Sequence, residues 1–173
     1  MQGCSLIRTI TVIASDKAVI DNIEINDLTN NNSISITVTG SGVYEYSLDN
    51  QTYQSSNTFT NLPSGIYTVY VKDLNGCGIT QEEVSILGIP SFFTPNADGY
   101  NDNWNVKGIS STLNSKTIIY IFDRFGKLIK EINPTTTGWD GTFNNQQLPA
   151  TDYWYTIKLE NGKELKGHFA LKR

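Results

Sequence analysis

Short runs of strand-forming residues, cut at regular intervals by turn residues and without a helical period, constrain this chain to an all-β fold. In the N-terminal half the runs are Ile7–Ala14, Ile20–Ile25, Ser33–Thr39, Tyr44–Leu48, Thr58–Phe59, Gly65–Lys72 and Thr80–Ile86. They are rich in Ile, Val, Thr and Tyr, whose branched or flat side chains suit a pleated surface. Asn30-Asn31-Asn32, Gly40-Ser41-Gly42, Asp49-Asn50, Pro63-Ser64-Gly65 and Leu74-Asn75-Gly76 separate them, and these are residue types that reverse a chain. Along Gly65–Asp73, Ile66, Thr68 and Tyr70 alternate with Tyr67, Val69 and Val71, which assigns the two sets to opposite faces. Short strands at this spacing are the pattern of an antiparallel sandwich.

The C-terminal half repeats the logic. Strands are expected at Phe92–Thr94, Asp102–Val106, Thr117–Asp123, Leu128–Glu131, Asp152–Leu159 and Lys166–Leu171. Asp123-Arg124-Phe125-Gly126-Lys127 reads as a hairpin turn, with Gly126 free to take a positive φ. Glu160-Asn161-Gly162-Lys163 reads as a second, since Asn-Gly suits a two-residue primed turn. The chain is therefore read as two consecutive immunoglobulin-like antiparallel β-sandwich domains, residues 1–87 and 88–173. The seam, Leu87-Gly88-Ile89-Pro90, is too short for a flexible linker.

Charge supports the division. Residues 1–88 carry three basic and nine acidic side chains, a net of −6, whereas residues 89–173 carry ten and eight, a net of +2. Neither half has the Lys/Arg stripe of a nucleic-acid binder. No run approaches the roughly 20 apolar residues of a spanning helix, and the start lacks the pattern of an export signal. Met1-Gln2-Gly3 reads as a truncated beginning, so the chain is expected to be a piece of something longer. Cys4 and Cys77 are too few for a closed zinc site. Pairing of first and last strands in a sandwich would bring them together, and a disulfide in an oxidising compartment is the preferred reading. Two unpaired thiols are the alternative.

Candidate chemistry is sparse. Asn96, Asp98 and Asp102 offer hard oxygen ligands around Gly99, a combination that calcium uses, but a later bidentate carboxylate is missing. The reading placed first is a set of Asx-turns that need no ion. Trp139-Asp140-Gly141 is read as a core anchor followed by a turn, with a sugar-stacking face as the alternative. His168, the sole histidine, has no nucleophile partner in its own half, and the aspartates sit at turn positions. No catalytic constellation assembles.

The unusual residues of the C-terminal half form ordered clusters. These are Phe93-Thr94-Pro95-Asn96-Ala97-Asp98-Gly99-Tyr100-Asn101-Asp102, Phe122-Asp123-Arg124-Phe125-Gly126, Gly138-Trp139-Asp140-Gly141, Asp152-Tyr153-Trp154-Tyr155 and Gly167-His168-Phe169-Ala170-Leu171-Lys172-Arg173. Through them Ile89–Arg173 resembles the gliding motility-associated C-terminal domain, the type B sorting domain of the type IX secretion system in Bacteroidota. Ala97 stands where that family usually has Gly, which weakens the claim that the loop needs a special backbone conformation there. Residues 27–87 resemble the SprB-type repeat of cell-surface adhesins, through Gly42–Asp49, Phe59–Leu62, Gly65–Val69 and Asp73–Cys77.

The resemblance implies a non-enzymatic, folded sorting signal at the end of a secreted gliding adhesin at the cell surface. The outer-membrane translocon and an associated membrane protein would be its partners. Recognition would fall on Lys166, Gly167, His168, Phe169, Leu171, Lys172 and Arg173. Two routes are expected: strand addition on the edge of Lys166–Leu171, or a direct grip on Lys172, Arg173 and the terminal carboxylate. The rival reading is a calcium- or glycan-binding adhesin module.

Overall fold

The computed structural model describes residue 8 and residues 14–173 and is all-β, with no helix among them. Cys4 lies outside these residues, as does nearly all of the expected strand Ile7–Ala14. In the N-terminal half the strands are β1 (Val19–Asn26), β2 (Ser33–Thr39), β3 (Tyr44–Ser47), β4 (Thr58–Phe59), β5 (Gly65–Asp73) and β6 (Ile79–Ile86). They form two antiparallel three-stranded sheets, ordered β1-β2-β4 and β3-β5-β6. The alternation works as the sequence requires: Ile34 and Ile36 of β2 share one core with Val69 and Val71 of β5 and Val84 and Ile86 of β6.

The C-terminal half contains β7 (Phe92–Phe93), β8 (Ile118–Phe122), β9 (Leu128–Ile132), β10 (Thr142–Phe143), β11 (Gln146–Gln147), β12 (Asp152–Lys158) and β13 (Glu164–Leu171). Five of these make one sheet, β7-β13-β12-β8-β9, antiparallel except where β7 runs parallel to β13. Its inner face is closed by the β10–β11 hairpin and by a bridge between Trp104 and Trp139. A second hydrophobic cluster, from Leu87 to Leu171, fills this half. The two cores divide between Ile86 and Leu87.

Two expectations change. Asp102–Val106 is not a strand. Only Trp104 pairs, through mutual backbone bonds of 2.8 and 2.9 Å with Trp139, while the Asn105 side-chain Nδ2 donates to the Pro134 and Thr136 carbonyls. The Asn161-Gly162 turn is a three-residue connection: Gly162 donates to Leu159 O and alone has positive φ, so it is a type I turn with a glycine bulge. The Asp123–Lys127 turn has the same form, with Gly126 at φ 81°. The primed two-residue turn lies instead at Asn144-Asn145, both left-handed at 50° and 62°, in the β10–β11 hairpin that periodicity did not reveal.

A sequence repeat also acquires a meaning. Leu62-Pro63-Ser64-Gly65-Ile66-Tyr67 and Leu148-Pro149-Ala150-Thr151-Asp152-Tyr153 share a Leu-Pro-x-x-x-Tyr pattern. In each, the tyrosine hydroxyl donates back to the proline carbonyl, at 2.7 Å for Tyr67 and 2.9 Å for Tyr153. This is the tyrosine corner of sandwich folds, which fixes the entry of a strand.

The seam is pinned on both sides. Gly88 and Lys107 exchange backbone bonds of 3.2 and 2.8 Å, the Ser85 hydroxyl donates to Gly108 O, and the Leu87 amide donates to Asp27 Oδ2 at 3.1 Å. A Cβ on Gly88 would collide with Ser64. The chain crosses between the halves as part of short ladders, not as a tether.

Candidate recognition surface

Phe93, Trp104, Trp139, Tyr153 and Phe169 of the C-terminal half are buried, whereas the polar motif residues lie mostly at the surface. Trp104 stacks on Phe169, with ring centroids 3.9 Å apart, and lies 5.5 Å from Tyr155. Trp139 meets Tyr153 edge-on at 4.9 Å and Phe93 at 5.5 Å. Both indole nitrogens are satisfied inside, Trp104 on Pro90 O and Trp139 on Thr142 O. These rings come from four of the sequence clusters and from Trp104, and they close a single aromatic core, where offset and edge contacts add to burial. Trp139 is 1% exposed, so it offers no face for a sugar. Burial also raises the Tyr153 and Tyr155 hydroxyls above the usual phenol range.

The Gly138-Trp139-Asp140-Gly141 segment is a steric solution to that packing. Gly138 and Gly141 have φ of 97° and 80°. A Cβ would stand 2.5 Å from Trp104 O at the first and 2.8 Å from Leu171 Cδ1 at the second. Asp140 caps the turn through the amide and hydroxyl of Thr142. The chain's last residue is drawn into the same place, since the Arg173 guanidinium donates to Leu148 O and, at 3.5 Å, to Gly141 O. Lys172 instead lies over the Phe92 ring, 4.3 Å from its centroid. The terminal side chains expected to be free for a partner are thus used by the fold.

The Thr94–Asp102 loop is organised around carboxylates that accept backbone amides. Asp102 Oδ1 accepts from Asn96 and Ala97, at 3.0 and 2.6 Å, and Oδ2 accepts from Gly99 at 2.8 Å. Asp98 accepts from the Tyr100 amide and the Asn96 side chain, both at 2.8 Å, which lowers its pKa, the Tyr100 bond first. Pro95 precedes the loop, and Thr94 closes it through Asn101 O. Oxygens turned to N–H donors do not fit a cation. The group is a nest of amides around an aspartate, and among the described residues no three His, Cys, Asp or Glu side chains gather for a metal.

Ala97 overturns an expectation here. Its φ is 62°, so the position that usually holds Gly in the resembled family does demand a left-handed backbone, and this chain accepts the strain. Amides can converge on Asp102 only if the chain curls in this way.

Outward-facing features are fewer. Asp123 accepts from the Phe125 and Lys127 amides, leaving Phe125 80% exposed and Arg124 over its ring. Across the outer face of the sheet, cross-strand register places Leu128, Phe122, Trp154 and His168 in one row. Trp154 is exposed and His168 sits beside it, 6.3 Å between ring centroids. Gly167, on the inner face, makes room for the Tyr155 ring. Phe169 and Leu171 are buried.

The last strand is only partly an edge. Ala170 pairs with β12 and the Leu171 amide donates to Thr151 O on one side, while both pair with β7 on the other, so strand addition along all of Lys166–Leu171 is ruled out. β7 begins only at Phe92, and the preceding Pro90 turns its carbonyl to the Trp104 indole. The Ala170 amide donates to Ser91 O, away from β12. With a two-residue period, the backbone groups of His168, Lys166 and Glu164 face that same side, where no strand follows. Sequence periodicity marked the strand but could not show which side was covered.

Cys77 is exposed, and its thiol lies 3.0 Å from Ser15 O, with its amide on Asp73 Oδ2.

Comparison with known proteins gives a specific result for this half. Residues 87–171 match the family model described as CHU_C Type IX secretion signal domain. That supports a sorting-signal role for the C-terminal domain, and the family is a signal family, not an enzymatic one. No curated protein matches the chain. Among solved structures, PorZ of the Porphyromonas gingivalis type IX secretion system aligns with TM-score 0.38 and 14% identity, over 90% of this chain and 23% of that one. Dimeric latent PorU of the same organism gives 0.31 and 14%, over 89% and 20%. A biofilm-associated protein BSP domain gives 0.31 and 17%, over 88% and 29%. The chain spans less than a third of each of these three structures.

Proposed function

We propose that residues 88–173 are a type B sorting signal, read by the translocon and its membrane partner as a folded surface. Residues 1–87 are then the last SprB-type repeat of a gliding adhesin carried to the cell surface. The observation that carries this reading is the fate of the motif residues. They close an aromatic core and its turns instead of assembling a reactive centre, so what they specify is a shape. The second half is the positively charged one, and its exposed residues, Phe125, Trp154, His168 and Lys166, are grouped on the turn, outer face and open edge of one sheet.

The test is export of an inert reporter fused ahead of residues 89–173 in a type IX-secreting cell. The fusion is expected outside the cell, and deleting Gly167–Arg173 is expected to abolish its export, because that segment supplies Phe169 and Leu171 to the core. Normal export of the truncated cargo would refute the proposal. The adhesin-module alternative predicts glycan binding without export. It keeps one physical support, the exposed Trp154 with its row of neighbours, whereas the carboxylate nest gives calcium no support.

A further inference from the structure

A cleft of about 560 Å³ opens at the seam, between the two halves of the chain. One wall comes from the N-terminal half, through Leu28, Asn30 and Asn32. The other comes from the C-terminal half, through Lys107, Leu165 and Lys166, and Leu87–Pro90 form the floor. The open edge of β13 therefore does not face bulk solvent alone. It faces a cleft whose far side belongs to the preceding repeat.

Two properties of the cleft specify its occupant. The backbone groups of Lys166 and its neighbours at two-residue spacing on an unpaired edge are complementary to an extended peptide. Charge then narrows the choice. In a chain of net charge −4, this cleft is lined by Lys107 and Lys166 and by no Asp or Glu. Lys166 Nζ lies 3.6 Å from Glu164 of its own strand, so Lys107 carries the charge on this wall that makes no ion pair among the described residues. Leu28 on its lip holds a left-handed φ of 58°, a conformation leucine rarely takes, and the neighbouring Asp27 ties that lip to the Leu87 amide.

We infer that the cleft receives an extended acidic segment of a translocon partner, which adds to β13 along Glu164–His168 and is flanked by the preceding repeat. This rests on the sorting reading and extends it: the signal is composite, and the repeat next to it supplies part of the recognised surface. The Gly88–Lys107 backbone bridge and the Ser85 hydroxyl on Gly108 O hold the two walls in register.

The experiment uses a reporter fused ahead of the whole 173-residue chain, with export measured as the fraction of reporter activity outside the cell. Lys166→Pro removes an outward amide without touching a β12 bond, Lys107→Glu reverses charge on one wall, and Asn30→Trp fills the cleft from the N-terminal half. Each is expected to lower export about tenfold, the effect of losing one well-placed interaction, with unchanged melting. Should Lys166→Pro melt early, the other two variants, which lie outside β13, decide the matter. Wild-type export by Asn30→Trp and Lys107→Glu would overturn the composite cleft. If Gly167–Arg173 deletion still blocks export in that case, the sorting reading stands and only the cleft is rejected. If the deletion is exported normally, the sorting reading itself fails.

Discussion

Replacing Ala97 with glycine should stabilise the C-terminal half, although glycine normally weakens a fold. Ala97 is exposed, so the methyl group contributes little packing. Its φ of 62° costs an L-residue roughly 1–2 kcal/mol, and glycine avoids that cost. Against this stands glycine's larger loss of backbone freedom, about 0.5–1 kcal/mol. The balance is a gain of about 0.5–1 kcal/mol, or about 2–8 °C in melting temperature for a domain of this size. All three tryptophans, Trp104, Trp139 and Trp154, lie in the C-terminal half, so Trp fluorescence during thermal unfolding of the full chain reads that half alone. Ala150→Gly is the control. Ala150 is exposed and does not have positive φ, so this change should lower the midpoint, by about 0.4–1 kcal/mol. If Ala97→Gly also lowers it, or leaves it unmoved, the strain argument for the Asp102 nest is wrong.

Other perturbations probe other levels of the fold. Gly138→Ala places a Cβ 2.5 Å from Trp104 O at a φ of 97°, and should cost more than about 2 kcal/mol in the same Trp-detected assay. Tyr153→Phe removes the corner bond to Pro149 O and should cost about 1 kcal/mol, visible in Trp fluorescence. Tyr67→Phe should cost a similar amount and be visible only in far-ultraviolet circular dichroism. Asp49 accepts from the Thr52 and Gln51 amides and the Ser47 hydroxyl, and these bonds lower its pKa to about 2, below the ordinary carboxylate range. A depressed folded pKa contributes stability that is whole above about pH 4 and lost as pH falls through about 2. Urea midpoints of the N-terminal half should therefore drop across that window, and Asp49→Asn should flatten the drop. An unchanged slope in the variant would exclude Asp49 as the source.

Sequence alone determined the strand content and most strand positions. Alternation such as Ile34/Ile36 and Val69/Val71 is a local consequence of a pleat with one buried face, and turn residues mark where each run must stop. It also supplied the motifs of the C-terminal half, where residues 87–171 match a type IX secretion signal family model. What it did not determine follows from forces that act across the chain. Trp104 was assigned to a strand because its neighbours read that way, whereas stacking on Phe169 and pairing with Trp139 set its place. Ala97 gave no local sign of a left-handed backbone, since the demand comes from three amides converging on Asp102. The terminal Lys172-Arg173 appeared free because a sequence shows no carbonyls for a guanidinium to find.

The last strand shows the division most plainly. Its alternation fixed which side chains are buried, because that depends only on the two-residue period. Which part of its edge stays open depends on β7 beginning only at Phe92 and on the N-terminal half beside the seam. Those are contacts between residues far apart in the chain, and only the tertiary structure brings them together.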